Sequence, residues 1–239
     1  MRKIVIIVAL LSLFSCAEKE VQLPQAEVSV LKDIVDHSPI YMFFEIKNEK
    51  DTIINVNRKN SISSTNWIFN IDKRLPLKLV IPEVMKLQEK KANSAHSKKD
   101  AIDVFSYSDS IRKNLAFFPF TEVKFKYDKD FSKFFIKKNA EQYMPYHNFT
   151  VNFNKKNAIT IDGIEVDRNE FVAFIKEFSD FTIDGKLIML HLNFDKNLSY
   201  GDYLNNKILA WKATNDKVQI ASYEFIYDEK QLPECGCKL

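Results

Sequence analysis

Asn70-Ile71-Asp72-Lys73-Arg74-Leu75 returns 123 residues later as Asn193-Phe194-Asp195-Lys196-Asn197-Leu198. Each copy closes an apolar run and opens a stretch with apolar residues at helical spacing. These are Leu77, Ile81, Val84 and Leu87 after the first copy, and Tyr200, Leu204, Ile208 and Trp211 after the second. A second match follows in the same order, Phe125-Lys126-Tyr127-Asp128 against Phe225-Ile226-Tyr227-Asp228. In both halves the order reads strand, Asp-Lys, helix, strand, Tyr-Asp, which is the mark of a duplicated supersecondary unit. The first copy is longer by 23 residues, about where the Lys-, Ser- and Asn-rich stretch 89–101 reads as an exposed connector. The expected fold class is α+β: two similar small units, each a mixed sheet with helices packed on one face.

The flanking sequence fills in these units. Strands are expected over 41–46, 52–56, 67–71 and 117–127, with Pro82 either kinking the first helix or marking its real first turn. The mixture of Phe and Lys over 129–147 reads as a linking helix. Phe149, Val151 and Phe153 then alternate with polar residues, and Asp162-Gly163 marks a tight hairpin turn. Asp167 to Glu170 has the spacing of a capping box ahead of a helix faced by Phe171, Phe174, Ile175 and Phe178. Leu187 to Phe194 reads as a strand buried on both faces. Ser199 is placed to cap the next helix. Val218 to Tyr227 is the last strand and the candidate open edge for a partner, because the chain nearly ends there.

Composition narrows the class. The 239 residues are 46% apolar with 20 Phe, enough for a globular core rich in aromatic rings. Only 4 Gly are present, too few for a glycine-rich phosphate loop. Removing Arg2 and Lys3 with the leader described below leaves 33 basic against 32 acidic side chains, with no basic excess for nucleic acid. No apolar run reaches the roughly 20 residues of a spanning helix.

Arg2-Lys3, the apolar run Ile4 to Leu11 and Leu13-Phe14-Ser15-Cys16 form a charged-then-apolar leader. Its last four residues resemble the lipobox of bacterial lipoproteins, with Phe14 where a smaller residue is commoner. The resemblance implies a signal peptide over 1–15 and a diacylglycerol on Cys16, hence a membrane anchor. Ala17 after Cys16 implies sorting to the outer membrane, on the periplasmic side. Glu18-Lys19-Glu20 resembles a short surface-export tag of the Bacteroidetes type. Residues 16–38 then read as a tether and lead-in. At the other end, Glu234-Cys235-Gly236-Cys237 lies in a tail over 231–239. Cys235 and Cys237 are read as a strained disulfide, as a reactive thiol pair, or as two ligands of a soft metal, too few by themselves to hold one.

The stretch 148–228 resembles the periplasmic domain of the ExbD/TolR family of transport proteins. The resemblance rests on Asp162-Gly163-Ile164, Phe171 to Phe178, Leu190 to Asp195, Ser199-Tyr200-Gly201-Asp202 and Val218 to Tyr227. The units are accordingly set at 39–128, with the Lys-rich insertion, and 148–230, joined by 129–147. The family spans the inner membrane by a helix carrying a proton-conducting Asp, and the leader here holds no acid. What the resemblance implies is therefore the soluble domain's habit of binding: self-association, an envelope protein or the cell wall.

The chemistry-bearing residues give little sign of catalysis. His37, His96, His147 and His191 show no metal-ligand spacing. His191, in an apolar strand, reads as a hydrogen-bonded or sheet-facing histidine. Asp72 and Asp195 end strands and read as turn or cap residues, with a cleft position as the alternative. The expectation is a non-enzymatic, partner-binding or scaffolding lipoprotein without cofactor or metal. The alternative is a periplasmic ligand- or redox-active protein working through Cys235 and Cys237.

Overall fold

The computed structural model describes residues 19–48, 51–181 and 185–232. The lipidation site Cys16 and the thiols Cys235 and Cys237 lie outside the described residues. The fold is mixed α+β, with two mixed sheets of six and seven strands.

The first sheet comprises β1 (Gln25–Ala26), β2 (His37–Lys47), β3 (Asp51–Asn57), β4 (Asn66–Ile71), β5 (Asp103–Asp109) and β6 (Asn114–Pro119), with helix α1 (Leu77–Ala92) crossing from β4 to β5. Strands β2, β4 and β5 are parallel, and the hairpin partners β3 and β6 run antiparallel at the two sides. Ile40, Met42, Trp67, Phe69 and Ile71 are buried, and Leu77, Val80, Ile81, Val84 and Leu87 give α1 the matching stripe. Pro82 sits inside α1 and has no N–H for the carbonyl of Lys78. The Tyr127 hydroxyl donates to that carbonyl at 3.2 Å, so the bond that proline removes is replaced from a neighbouring strand.

The second sheet contains β7 (Lys124–Asp128), β8 (Tyr146–Phe153), β9 (Ile159–Ile161), β10 (Ile164–Val166), β11 (Leu187–Asp195), β12 (Val218–Ile220) and β13 (Tyr223–Tyr227). Its helices are α2 (Ser132–Lys138), α3 (Ala140–Tyr143), α4 (Phe171–Phe181) and α5 (Tyr200–Lys212). Asp162 and Gly163 both take positive φ in the β9–β10 turn, as a two-residue hairpin requires. Ser199 caps α5 by accepting from the N–H of Asp202 at 3.1 Å. Phe194 and Glu224 meet α5 on one face of the sheet. The short helices α2 and α3 lie on the opposite face, where Phe135 meets Tyr223 and Phe225, and Tyr143 meets His191.

The two units correspond strand by strand around the Asp-Lys motif. Asn70 and Ile71 of β4 pair with Tyr41 and Met42; their repeats Asn193 and Phe194 of β11 pair with Asn152 and Phe153. The two motifs also meet. Leu77 N–H donates to Leu198 O at 3.0 Å, and its counterpart Tyr200 N–H donates to Leu75 O at 2.8 Å. Lys78 N–H donates to Lys196 O at 2.8 Å, and its counterpart Gly201 N–H donates to Lys73 O at 3.0 Å. Pro76 faces Ser199 at the centre of this antiparallel ladder, which therefore has a local two-fold axis. One hydrophobic core runs through both units, and Phe105 of the first packs edge-on against Tyr200 and Tyr203 of the second.

Five sequence expectations need correction. The run 117–127 is not one strand: 114–119 form β6, while 124–128 form β7, which pairs in parallel with β13. The boundary after 128 therefore does not separate the sheets. The Tyr-Asp match joins neighbours rather than counterparts, since Tyr227 faces Asp128 and the topological equivalent of β13 is β5. Val218 to Tyr227 is not one strand with an open edge: it is split into β12, which pairs β11 on one side, and β13, which is flanked by β11 and β7. Residues 19–38 are not a free tether. Gln22 bonds to Lys73, Gln25–Ala26 pair with β5, and Ile34 and Leu31 pack with Ile68, Val104 and Phe117.

Candidate functional site

Asp72 and Asp195 are placed by their strands at the seam between the units, and both serve turns. The Asp72 carboxylate is buried and accepts from the Arg74 N–H at 3.0 Å, Nε at 2.8 Å and Nη2 at 2.7 Å, and from the Gln22 N–H at 3.2 Å. Burial opposes its charge, but the Arg74 guanidinium and the backbone donors outweigh burial and hold its pKa below the ordinary value. Asp195 accepts from the Asn197 N–H at 2.7 Å and Nδ2 at 3.0 Å. Lys196 turns away to Asp228 at 2.6 Å and Asp128 at 3.7 Å.

Two buried charges on helices are likewise matched internally. Lys91 of α1 meets Asp103 at 2.5 Å and lies over the Trp67 ring. Lys207 of α5 pairs with Glu224, which also accepts from the Tyr203 hydroxyl at 2.7 Å. Burial still pushes the Asp103 carboxyl above its ordinary pKa, although Lys91 pulls the other way.

His191 is fully buried, as its apolar strand suggests. The Asn148 Nδ2 donates to the carbonyls of Tyr143 and Tyr146, which leaves the Asn148 Oδ1 to accept from His191 Nε2–H at 2.9 Å. The imidazole is then the neutral Nε2–H tautomer, with a buried Nδ1 that has no partner. Burial lowers its pKa to about 4.

Open chemistry remains on the outer faces of the two sheets, the faces turned away from α1 and α5. On the second sheet, alternation along β8 brings Thr150 and Asn152 to this face, and β9 adds Thr160 opposite Asn152. Two adjoining cavities share Asn152 and Thr160. One, of about 130 Å³, is lined by Phe131, Lys133, Thr150, Asp162 and Gly163 besides these two. The other, of about 210 Å³, adds Asn154, Lys155, Lys156, Tyr227 and Glu229. Asn152 is 6% exposed, and its Oδ1 is buried without a hydrogen-bond partner. Its side chain bonds to Tyr227, which partly offsets the rise in the Tyr227 pKa caused first by burial and then by Asp195. Asp162 is exposed as a residue, yet its carboxylate accepts from the Thr150 N–H at 3.0 Å, and its pKa is raised by burial against the pull of Thr150 and Lys133.

On the first sheet the counterpart of Asn152 is Tyr41. Its ring lies parallel to that of Phe43, with centroids 5.9 Å apart. Asn57 and Asn55 of β3 stand beside them. The residues lining the adjacent grooves include Lys19, Arg58, Lys59 and Asn70. Among the described residues the lead-in segment covers the β4–β6 half of this face and touches the β2–β3 half only at its start, where Lys19 meets Glu45 at 2.5 Å and Val21 and Leu23 line a groove beside Tyr41 and Phe43. On the second sheet α2 and α3 cover the β11–β13 part of the corresponding face, and the two cavities lie along β8 and β9. The sequence reading identified neither surface, since both arise from strand pairing between residues far apart in the chain.

Among the described residues no group of three or more His, Cys, Asp or Glu is placed to hold a metal. No helix among them is long and apolar enough to cross a membrane. Comparisons with family models, curated proteins and solved structures gave no match.

Proposed function

We propose that this chain is a non-enzymatic lipoprotein of the cell envelope that binds a partner. On this reading the lipid on Cys16 holds it at the outer membrane, on the periplasmic side, and its ExbD/TolR-like units act as a scaffold without a proton-conducting helix. The observation that carries the reading is the half-open outer face of the first sheet. Tyr41, 36% exposed, and Phe43 stand there with Asn55 and Asn57, whereas Asn152, the counterpart of Tyr41 in the second unit, is 6% exposed. Aromatic rings beside amide groups give a surface that makes both apolar and hydrogen-bonded contacts. The buried charges support a scaffold role, since Lys91 and Lys207 are spent on Asp103 and Glu224.

The test is photo-crosslinking in intact envelopes with a benzophenone side chain at Tyr41, and at Glu83 on α1 as the control. A discrete adduct at Tyr41 that Glu83 does not give is expected. Equal labelling at both positions, or none at Tyr41, contradicts the reading. A chain truncated after Asp228 separates it from a role for Cys235 and Cys237, because partner capture then survives without either thiol.

A further inference from the structure

We infer that the free edge of β3 accepts, as an added strand, an extended acidic segment of a partner protein; the inference rests on the partner reading above and names the chemistry of what docks there. β3 is the last strand of the first sheet. Among the described residues it pairs only with β2, in an unbroken register from Lys47 facing Asp51 to Tyr41 facing Asn57. Alternate residues of an antiparallel edge strand point their N–H and C=O away from the sheet, so about three residues of β3 offer backbone donors and acceptors to a further strand. The other margins are closed, short or charged. Leu31 and Phe117 exchange two backbone bonds at 3.0 Å along β6. β1, β10 and β12 have two or three residues, and β7 carries Lys124 and Lys126 among its five. Thr52 to Val56 holds no Lys, Pro or Gly, and no residue of β3 takes positive φ. The usual guards against strand addition are therefore missing from this edge.

A groove of about 780 Å³ wraps this edge, and the consecutive residues 55–59 line it. Asn55 and Asn57 belong to the outer face with Phe43. Val56 pairs with the buried Met42 on the helix side, where Lys90 of α1 adds the far wall. A groove lined from both faces around one strand margin occupies the place of a neighbouring strand. Its charge is one-sided: Lys19, Arg58, Lys59 and Lys90 line it, and no carboxylate does. Lys19 is held by Glu45 at 2.5 Å, whereas Arg58, Lys59 and Lys90 form no ion pair among the described residues. Asp51 stands at the opposite end of the strand. Acidic side chains of an added strand alternate between the two faces, and so reach Arg58 or Lys59 on one side and Lys90 on the other. Main-chain bonds then supply the affinity, and the cations select the partner.

The test adds to the full mature chain a capped peptide of about eight residues, alternating glutamate and valine, long enough to run beside β3. The controls are the same peptide with lysine for glutamate, the same peptide with proline for valine, and polyphosphate. Slower hydrogen exchange of the amides in 52–56, saturable and weakened by salt, is expected with the glutamate peptide alone. Lys59→Gln with Lys90→Gln is expected to weaken binding about tenfold, the scale of two exposed charge contacts. Of the neighbours Ile53 and Ile54, one directs its N–H out of the sheet. Ile53→Pro or Ile54→Pro, whichever unfolds at the temperature of the unaltered chain, is expected to abolish binding. Exchange in 52–56 of the unaltered chain that the glutamate peptide leaves unchanged overturns the proposal, whatever the variants do. Equal binding of a control also overturns it, because the edge then reads neither acid nor extended backbone. The same amides slowing with protein concentration alone, with a doubled mass in sedimentation, assigns the edge to a second copy and overturns it too. A Tyr41 adduct in envelopes beside an unresponsive β3 removes this inference and leaves the partner reading standing. A peptide-bound β3 without any Tyr41 adduct removes the partner reading alone.

Discussion

At the residue scale, the buried ionisable groups set how stability depends on pH and on substitution. His191 is neutral in the folded chain, and burial lowers its pKa from 6.5 to about 4. The folded state therefore binds this proton less readily than the unfolded state. The stability it contributes is complete above about pH 6.5 and is lost as the pH falls toward 4, a change of about 3 kcal/mol. Urea unfolding at about pH 7 and pH 4 measures it: the unaltered chain is expected to lose about 3 kcal/mol more than His191→Gln. The Lys207–Glu224 pair gives a second expectation. Lys207→Met leaves a buried carboxylate without its cation and costs about 3–5 kcal/mol, while Lys207→Met with Glu224→Leu recovers most of that loss. Thermal unfolding of the two variants decides it. The burial of His191 was legible from its apolar strand. The partner Asn148 was not, because the two lie on adjacent strands far apart in sequence.

At the element scale, local pattern carried the helices and most strands, and failed where pairing decided the outcome. Leu77 to Leu87 and Tyr200 to Trp211 became α1 and α5, and the cap at Ser199 formed as its spacing suggested. Strand β5 had no such signal. Its sequence DVFSYSD ends in Asp and carries Ser at alternate positions, which reads as turn chemistry, yet it pairs on both sides within the sheet. The run 117–127 read as continuous because Phe and Val keep up the alternation across Pro119 and Thr121, where the chain passes from one sheet to the other. The seam gives the test at this scale. A Cβ on Gly201 meets Lys73 Cβ at 3.1 Å and Lys73 O at 3.3 Å. Gly201→Val forces the two turns apart and is expected to cost about 1–3 kcal/mol. Gly201→Ala is expected to cost less, because one methyl needs only a small shift. Chemical denaturation of both variants checks the ranking.

At the scale of the whole molecule, the repeated Asp-Lys sequence marks the place where two units meet. Each motif ends a central strand, turns through an Asp that accepts backbone donors, and starts a helix whose first N–H groups reach across to the other motif. The sequence revealed the repeat but not this contact, since periodicity within a chain says nothing about which surfaces of two units face each other. The shared core follows from it: Phe105 and Phe118 of the first unit lie under Lys207 of the second, so neither sheet is closed without the other. The partner reading builds on this pairing, because it turns the two outer faces away from the seam and leaves Tyr41 exposed on one of them among the described residues.

The central claim, that the two motifs meet across a local two-fold, is tested most directly by a disulfide. Pro76 and Ser199 face each other in an antiparallel pair flanked by, but not joined by, hydrogen bonds. Such a pair has Cα atoms about 4.5 Å apart, within reach of a disulfide. In a chain whose Cys16, Cys235 and Cys237 are replaced by Ser, Pro76→Cys with Ser199→Cys is expected to form an intramolecular bond in air, seen by mass spectrometry of the 76–199 peptide pair. Two free thiols after oxidation in a folded chain, or bonds only between molecules, contradict the account.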